Sequence, residues 1–263
     1  MLGKIALRLF ALGYLGILLL FPLGAILWRT FEHGMGPVWA ALTNPDAVHA
    51  LRLTLEIVII AVPLNTAFGV LCALALVRHE FRGKALLSTF VDLPLGVSPV
   101  VVGLALVLVY GRFGWWGEWL SGHGVQVIFA MPGMVLATVF ISLPFVVREV
   151  VPVLREVGTE QEEAALTLGA SQRQTFFRVT LPAIRSGLGY GIVLTTARAL
   201  GEFGAVSVVS SNIAGQSQTM TLYVQDRFQQ FDATGAYTAS VTLAVLAVFT
   251  LIAMTLWKPK EIN

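Results

Sequence analysis

The chain has 263 residues, of which 56% are hydrophobic and only 12% are charged. Because soluble domains carry about 25% charged residues, this composition argues against a soluble enzyme and equally against a disordered chain. The net charge of +2 identifies no partner, since in a membrane protein the placement of charge matters more than its sum. We therefore expect an all-α integral membrane protein, with residues 1–263 forming a single transmembrane domain.

Six apolar stretches have the length that crosses a bilayer, roughly 20 residues. They lie at residues 9–28, 57–77, 93–111, 124–147, 187–209 and 233–257. The first is predicted to be a retained helix, because it is too long for the core of a signal peptide and no small-residue cleavage site follows it. The fifth carries Arg198 and Glu202 near its middle, and we expect these residues to face protein or water rather than lipid. The sequence thus predicts six spans.

The basic residues indicate which side of the membrane each loop faces. If the N-terminus is cytoplasmic, most of the 17 basic residues fall on the cytoplasmic side, as the positive-inside rule requires. These residues are Lys4, Arg8, Arg78, Arg82, Lys84, Arg148, Arg155, Arg173, Arg178, Arg185, Lys258 and Lys260. The opposite orientation would place all five arginines of one loop, residues 148–186, outside. We predict that both termini are cytoplasmic.

The predicted cytoplasmic loop at residues 148–186 holds five arginines and five glutamates in a chain otherwise poor in charge. Such a loop is suited to contact water or a soluble partner. Thr159 and Glu162 have the spacing of a capping box, in which a hydroxyl and a carboxylate each bind an amide at the start of a helix. The helix that they predict ends at Gly169, a residue type that readily takes the left-handed conformation closing a helix.

Ser171 and Gln174 repeat the capping-box spacing and predict a second helix that leads toward Leu181 and Pro182. The loop is therefore predicted to contain a short helix, a sharp turn and another helix that returns to the membrane. Two consecutive alanines make the short helix thin on one side, so that the groove of another protein could close around it.

Residues at fixed spacing in this loop resemble the EAA loop of ATP-binding-cassette (ABC) importer permeases, EAA-x3-G-x9-I/V-x-L-P. The matching residues are Glu163, Ala164, Ala165, Gly169, Val179, Leu181 and Pro182. The resemblance implies a type I ABC importer permease fold with its core at about residues 51–257, after the N-terminal span. It also implies that residues 163–169, between spans 4 and 5, form a coupling helix that docks in a cleft of a separate ATPase subunit. The alternative is an ordinary helical hairpin.

Further stretches are similar to the W-type permease subunit of bacterial sulfate/thiosulfate ABC importers. They lie at residues 92–103, 144–149 and 197–210. The resemblance implies an inner-membrane protein that works with a T-type permease subunit, two copies of an ABC ATPase subunit and an extracytoplasmic sulfate-binding protein. The stretch at 198–205 is also similar to molybdate/tungstate permeases, which would form a homodimer, and these remain an alternative.

The chain lacks the motifs needed for ATP hydrolysis. Its two Gly-Lys pairs, at residues 3–4 and 83–84, have neither the upstream glycine nor the hydroxyl of a phosphate-binding loop. We expect a non-catalytic permease subunit without a metal, a cofactor or a nucleic-acid partner, with ATP and Mg bound by the partner ATPase. Energy would arrive through the cytoplasmic loop and bias a two-state arrangement of the spans. An intramembrane enzyme that uses Arg198, Glu202 and Asp92 is a remote alternative.

Two charged residues are candidates for lining the anion pathway. Arg198 and Glu202 are four residues apart in the fifth predicted span, so they would share one face of a helix, with Arg198 near mid-membrane. Either the two neutralise each other between packed helices, or Arg198 attracts a dianion while Glu202 limits how tightly it is held. Weak binding would suit a conduit that must release its cargo.

Ser98 and Pro99 form a helix-start signal inside the third apolar stretch, and we expect the helix to break there. The half-helix that follows would offer free amides and a positive dipole end to an anion. The alternative is a proline kink tolerated for packing. Asp92, shortly before the break, is either another helix cap or the partner of an arginine from elsewhere.

Overall fold

The structure is a computed structural model that describes residues 2–256, with side chains described for residues 7, 8 and 10–252. The predicted end of the last span at Trp257, and the predicted cytoplasmic residues Lys258 and Lys260, lie outside the described residues. Within the described part the chain forms helices and no strand, in agreement with the predicted all-α class. The helices are α1 (Leu2–Leu15), a π-helical turn (Gly16–Leu20), α2 (Phe21–Phe31), α3 (Met35–Leu42), α4 (Pro45–Arg78), α5 (Lys84–Gly96), α6 (Pro99–Tyr110), α7 (Gly117–Gly122), α8 (Met131–Val157), α9 (Glu160–Thr167), α10 (Gln172–Thr175), a second π-helical turn (Phe176–Thr180), α11 (Leu181–Ala183), α12 (Arg185–Leu200), α13 (Val206–Val209), α14 (Met220–Gln229) and α15 (Ala233–Leu256).

Four helices among residues 2–256 are long and apolar enough to cross a membrane. They are Phe10–Phe31, Pro45–Arg78, Met131–Val157 and Ala233–Ile252, and the bent pair α5 and α6 makes a fifth if it is counted as one span. The span predicted at residues 187–209 is wrong as a continuous helix, because α12 ends at Leu200 and only the short α13 follows it. There the Ala205 amide donates to the Glu202 carboxylate at 2.9 Å, a local bond that competes with the helical one. The count of six spans is therefore not confirmed.

Two of the spanning helices begin or end at different residues from those that hydropathy predicts. Helix α4 begins at Pro45 rather than near residue 57, because the Asn44 side chain accepts a hydrogen bond from the Asp46 amide at 2.9 Å and caps the helix. Helix α8 continues well beyond residue 147, so Arg148 and Arg155 lie on a helix and not in the predicted loop. A helix can leave the apolar layer and remain a helix, which a hydropathy pattern does not detect.

Helices α4 and α8 form a parallel pair at the centre of the fold. The buried Asn65 amide donates to the Val139 carbonyl at 3.1 Å and to the Ser142 hydroxyl at 3.0 Å, which links the two helices inside the apolar layer. One turn further along both helices, Gly69 lies against Val146, where a Cβ on the glycine would be 2.6 Å from the valine Cβ. Because the contacts advance in the same direction along both helices, α4 and α8 end on the same side.

Helix α12 also packs closely against α8, at Gly191. A Cβ on Gly191 would lie 2.8 Å from the Val146 Cα, a backbone atom that cannot move without displacing α8. We expect Gly191→Ala to lower the free energy of unfolding by about 1–3 kcal/mol, the usual effect of overpacking. Gly189→Ala is the matched control, since an added Cβ there has nothing within 4 Å. Thermal unfolding of the detergent-solubilised protein compares the two variants, and equal melting temperatures would contradict the close contact.

Candidate coupling loop and candidate anion pathway

The Glu-Ala-Ala residues that begin the EAA motif lie on α9, the short helix that follows α8. Glu163, Ala164 and Ala165 fall within this helix, and none of its residues is buried. Gly169 follows the helix with a φ of 87°, a left-handed conformation that glycine adopts without strain. The helix predicted from the sequence and its closing glycine are both present, and the helix is accessible to a partner.

The capping box predicted at Thr159 does not form. Thr159 precedes α9 in a helical conformation, and its side chain makes no capping hydrogen bond. The carboxylate of Glu162 instead accepts hydrogen bonds from Arg78, at 3.0 and 3.2 Å, and from the Thr180 hydroxyl at 2.8 Å. A guanidinium binds a carboxylate more strongly than an amide does, so these tertiary contacts replace the local one.

The capping box predicted at Ser171 does form. The Ser171 hydroxyl accepts a hydrogen bond from the Gln174 amide at 3.3 Å, and the Gln174 side chain accepts one from the Ser171 amide at 2.8 Å. Helix α10 continues through the second π-helical turn into α11, which contains Leu181 and Pro182. The loop thus has two helical arms, with the EAA residues on one and the Leu-Pro pair on the other.

The two arms of the loop border an open groove of about 690 Å³. It is lined by Gln161, Ala164, Ala165, Leu168, Arg178, Val179, Pro182, Ala183 and Arg185. On the α9 side the groove is lined by two alanines, whose side chains are small, and by the exposed Leu168, which offers an apolar contact. Arg178 and Arg185 add positive charge. A groove lined by apolar residues together with arginines has the composition of a protein-binding surface.

The break predicted at Ser98 and Pro99 is present between α5 and α6. Helix α5 ends at Gly96, α6 begins at Pro99, and the two helices differ in direction by 113°. Val97 and Ser98 are extended, so this is an interruption and not a kink within one helix. Ser98 occupies the capping position, but its hydroxyl makes no capping hydrogen bond, which leaves amides of the first turn of α6 without that partner.

Arg198 and Glu202 form an ion pair, with Arg198 Nη1 2.8 Å from Glu202 Oε2. The prediction that both lie on one helix is wrong, since α12 ends at Leu200 and Glu202 lies in the turn that follows. The Glu202 side chain is 2% exposed and the Arg198 side chain is 32% exposed. Because Glu202 Oε1 also accepts a hydrogen bond from the Ala205 amide, the glutamate is held on two sides and the arginine is the accessible member of the pair.

The structure brings the turn that follows Glu202 next to the start of α6. Gly204 lies against Pro99, and a Cβ on Gly204 would be 2.8 Å from the Pro99 Cβ. Similarly, a Cβ on Gly103 would be 2.9 Å from the Ala205 carbonyl oxygen. The turn that carries Glu202 therefore packs directly on α6, and the two glycines permit this approach. Two candidate pathway elements that are far apart in sequence lie side by side.

Asp92 lies apart from these residues, on α5. Its carboxylate accepts a hydrogen bond from Arg148 Nε at 2.9 Å, so of its two predicted roles it has that of an arginine partner. With Lys84 and Arg155, the pair lines a second crevice of about 500 Å³. The Asp92 and Arg148 side chains are 42% and 58% exposed, and a pair this accessible contributes at most about 1 kcal/mol to stability.

Comparison with known families identifies the class of protein to which this fold and this loop belong. Residues 65–261 match the family described as "Binding-protein-dependent transport system inner membrane component". The chain belongs to this family. The permease is therefore an inner-membrane component of a transport system that depends on a binding protein.

The permease is similar over most of its length to permeases of sulfate transport systems. It is 49% identical over 239 residues to "Sulfate transport system permease protein CysW" of Synechococcus elongatus, which covers 91% of this chain and 84% of the relative. It is 40% identical over 239 residues to "Sulfate transport system permease protein CysT" of the same organism, which covers 91% of this chain and 85% of that relative.

Among solved structures, the permease is similar to a chain of a bacterial alginate ABC transporter in complex with an alginate pentasaccharide-bound periplasmic protein. The TM-score is 0.80 at 18% sequence identity, and the match covers 95% of this chain and 92% of the other. At this identity the comparison shows the fold alone, and it confirms the expected ABC importer permease fold. The permease is a non-catalytic subunit, and ATP hydrolysis belongs to a separate chain.

Sequence reasoning missed the residue that binds the candidate coupling loop to the rest of the permease. Arg78 was assigned only to the set of cytoplasmic basic residues, whereas in the structure it contacts Glu162 on α9. The positive-inside rule predicts basic residues at the cytoplasmic end of any span. The sequence therefore carries no local signal that distinguishes Arg78 from its neighbour Arg82.

Proposed function

We propose that the permease is the W-type subunit of an ATP-driven sulfate/thiosulfate importer, in which it forms half of the anion translocation pathway. The observation that carries this proposal is the higher identity to CysW than to CysT from one organism, over alignments of equal length. Since both relatives belong to sulfate systems by name, the substrate class is common to them and the difference concerns which of two subunits the sequence resembles.

The proposed assembly contains a T-type permease subunit, two copies of an ABC ATPase subunit and an extracytoplasmic sulfate-binding protein. One ATPase subunit binds α9 and the groove beside it, and it binds ATP and Mg, so this chain needs no cofactor of its own. Both termini of this chain lie on the cytoplasmic side, because most of its basic residues then do so as well. ATP-driven movement of the ATPase at α9 shifts the equilibrium between two arrangements of the spans.

The proposed pathway passes Arg198 and the start of α6. Arg198 offers a partly exposed positive charge, and the first turn of α6, after Ser98 and Pro99, offers amides at the positive end of a helix dipole. Glu202, only 2.8 Å from the arginine, offsets part of this attraction. A site with both signs of charge holds a dianion weakly, which suits a pathway that must release it. Asp92 belongs to the separate crevice beside α8.

The proposal is tested with the complete complex reconstituted in proteoliposomes with its binding protein. Sulfate and thiosulfate are expected to stimulate ATP hydrolysis several-fold and to accumulate in the lumen, whereas molybdate at the same concentration should do neither. Omission of the binding protein is the control and should abolish stimulation. Stimulation by molybdate alone, in a complex that contains two copies of this chain, would instead support the molybdate/tungstate alternative.

A further inference from the structure

Arg78, the last residue of α4, binds the candidate coupling helix directly. Its Nε donates to Glu162 Oε2 at 3.0 Å and its Nη2 donates to Glu162 Oε1 at 3.2 Å, so the two groups meet at two points. The Arg78 and Glu162 side chains are only 12% and 18% exposed, whereas those of the Arg52–Glu56 pair are 77% and 41% exposed. A two-point pair that water barely reaches is held in one geometry.

The same guanidinium also binds the end of α8. Arg78 Nη1 donates to the Leu154 carbonyl at 3.1 Å, and Nη2 donates to the Gly158 carbonyl at 2.6 Å. Carbonyls at the C-terminal end of a helix have no hydrogen-bond donor within the helix, and an arginine side chain can donate to them instead. One planar group therefore joins the ends of α4 and α8 to the first turn of α9.

Glu162 extends this connection to the second arm of the loop. The Thr180 hydroxyl donates to Glu162 Oε1 at 2.8 Å, and Thr180 is buried at the end of the π-helical turn that leads into α11. Arg78, Glu162 and Thr180, here called the Arg78 cluster, thus connect both arms of the loop to two of the central helices.

The backbone alone holds α9 loosely. The helix is joined to α8 through Gly158, whose φ of 68° marks a sharp turn, and through Thr159, which makes no capping hydrogen bond. None of the α9 residues is buried, and an element with few buried contacts moves readily relative to its neighbours. A force on the exposed face of α9 would turn it without moving the spans unless side chains resist.

We infer that Arg78 is the positioning residue that makes α9 move as one body with α4 and α8. Movement of the ATPase at the groove is then transmitted to the helices of the pathway. The hydrogen bonds of Arg78 go to Glu162, Leu154 and Gly158, which neither line the groove beside α9 nor belong to the candidate pathway residues. Its effect therefore falls on transmission and not on binding of the ATPase or of the anion. The inference rests on the proposed function, because the quantity that tests it is sulfate transport.

The test compares reconstituted complexes that carry Arg78→Gln, Arg78→Lys or Arg82→Gln. The Arg78→Gln complex should still hydrolyse ATP but transport at least about fivefold less sulfate per ATP, the scale of a coupling free energy between sites. Arg78→Lys should be intermediate, since one ammonium group cannot match the planar fork of the guanidinium. Arg82 is the matched control, because it is exposed on the turn after α4 and has no ion pair among the described residues, and its variant should be unchanged.

A purely structural role gives a different result. If Arg78→Gln lowers the amount of assembled complex while the remaining complex transports the normal amount of sulfate per ATP, the inference is overturned. The double variant Arg78→Gln/Glu162→Gln should transport as much sulfate per ATP as Arg78→Gln alone, because both changes remove the same connection. Additive losses in the double variant would also overturn the inference.

Failure of the proposed function is distinguishable from failure of this inference. A wild-type complex that transports another anion and no sulfate would contradict the proposed function. The ratio of that anion to ATP, measured in the same Arg78 and Arg82 variants, would then decide whether Arg78 couples α9 to the spans.

Discussion

A tryptophan in place of Ala165 is expected to lower sulfate uptake by about two orders of magnitude. Ala165 is half-buried on α9 and lines the groove of the candidate coupling loop. Forcing a large side chain into a packed site typically costs about 1–3 kcal/mol, and the upper value corresponds to roughly a 100-fold loss of affinity. The ATPase subunit would dissociate from the permease, and ATP-driven movement would no longer reach the spans.

This expectation is measured by the amount of ATPase subunit that copurifies with the tagged permease and by sulfate uptake into cells. Ala165→Ser is the matched control, because it adds a single oxygen at the same position and should preserve both quantities. If Ala165→Trp leaves copurification and uptake at the wild-type level, α9 is not the docking element and the proposed coupling role of this loop is wrong.

Removing the positive charge of Arg198 is expected to lower sulfate uptake by about 10- to 100-fold. A hydrogen bond to a charged group contributes about 1.5–3 kcal/mol, which corresponds to a factor of that size. The single variant Arg198→Ala also leaves the buried Glu202 carboxylate unpaired, and breaking a buried ion pair in this way costs about 3–5 kcal/mol of stability. Loss of uptake in the single variant could therefore have two causes.

The double variant Arg198→Ala/Glu202→Gln separates these causes. The glutamine side chain carries no charge, and its carbonyl oxygen can still accept the hydrogen bond from the Ala205 amide. We expect normal amounts of assembled complex but low uptake. Arg52→Ala is the control, since Arg52 pairs with Glu56 at the same spacing and at the same 2.8 Å, but at an exposed position. Wild-type uptake in the double variant would leave Arg198 with a packing role only.

Local patterns in the sequence predicted local structure well. The capping box at Ser171, the glycine that closes α9 and the interruption between Ser98 and Pro99 all occur where the sequence indicates them. Each of these features depends on the conformational preferences of residues within a few positions of one another. Helix α9 is also present where Thr159, Glu162 and Gly169 predicted a helix, although the Thr159 capping box does not form.

The incorrect predictions concern residues whose best partners lie elsewhere in the chain or in the following turn. The Thr159 capping box is absent because Arg78 and Thr180 bind the Glu162 carboxylate. The helix predicted at residues 187–209 ends early because Glu202 binds the Ala205 amide and Gly204 packs on Pro99. The role of Asp92 was not predicted wrongly: the sequence left two roles open, and the contact with Arg148 on α8 decided between them.

By itself, the sequence determined that this protein is a helical membrane protein with an EAA-like loop, because composition and short-range spacing fix both. Only the tertiary structure decided that the turn carrying Glu202 packs on the start of α6 and that Arg78 joins α9 to α4 and α8. The physical reason is that a charged side chain forms its strongest contact with whichever opposite charge the fold brings within about 3 Å, and this distance is set by the packing of helices that are remote in sequence.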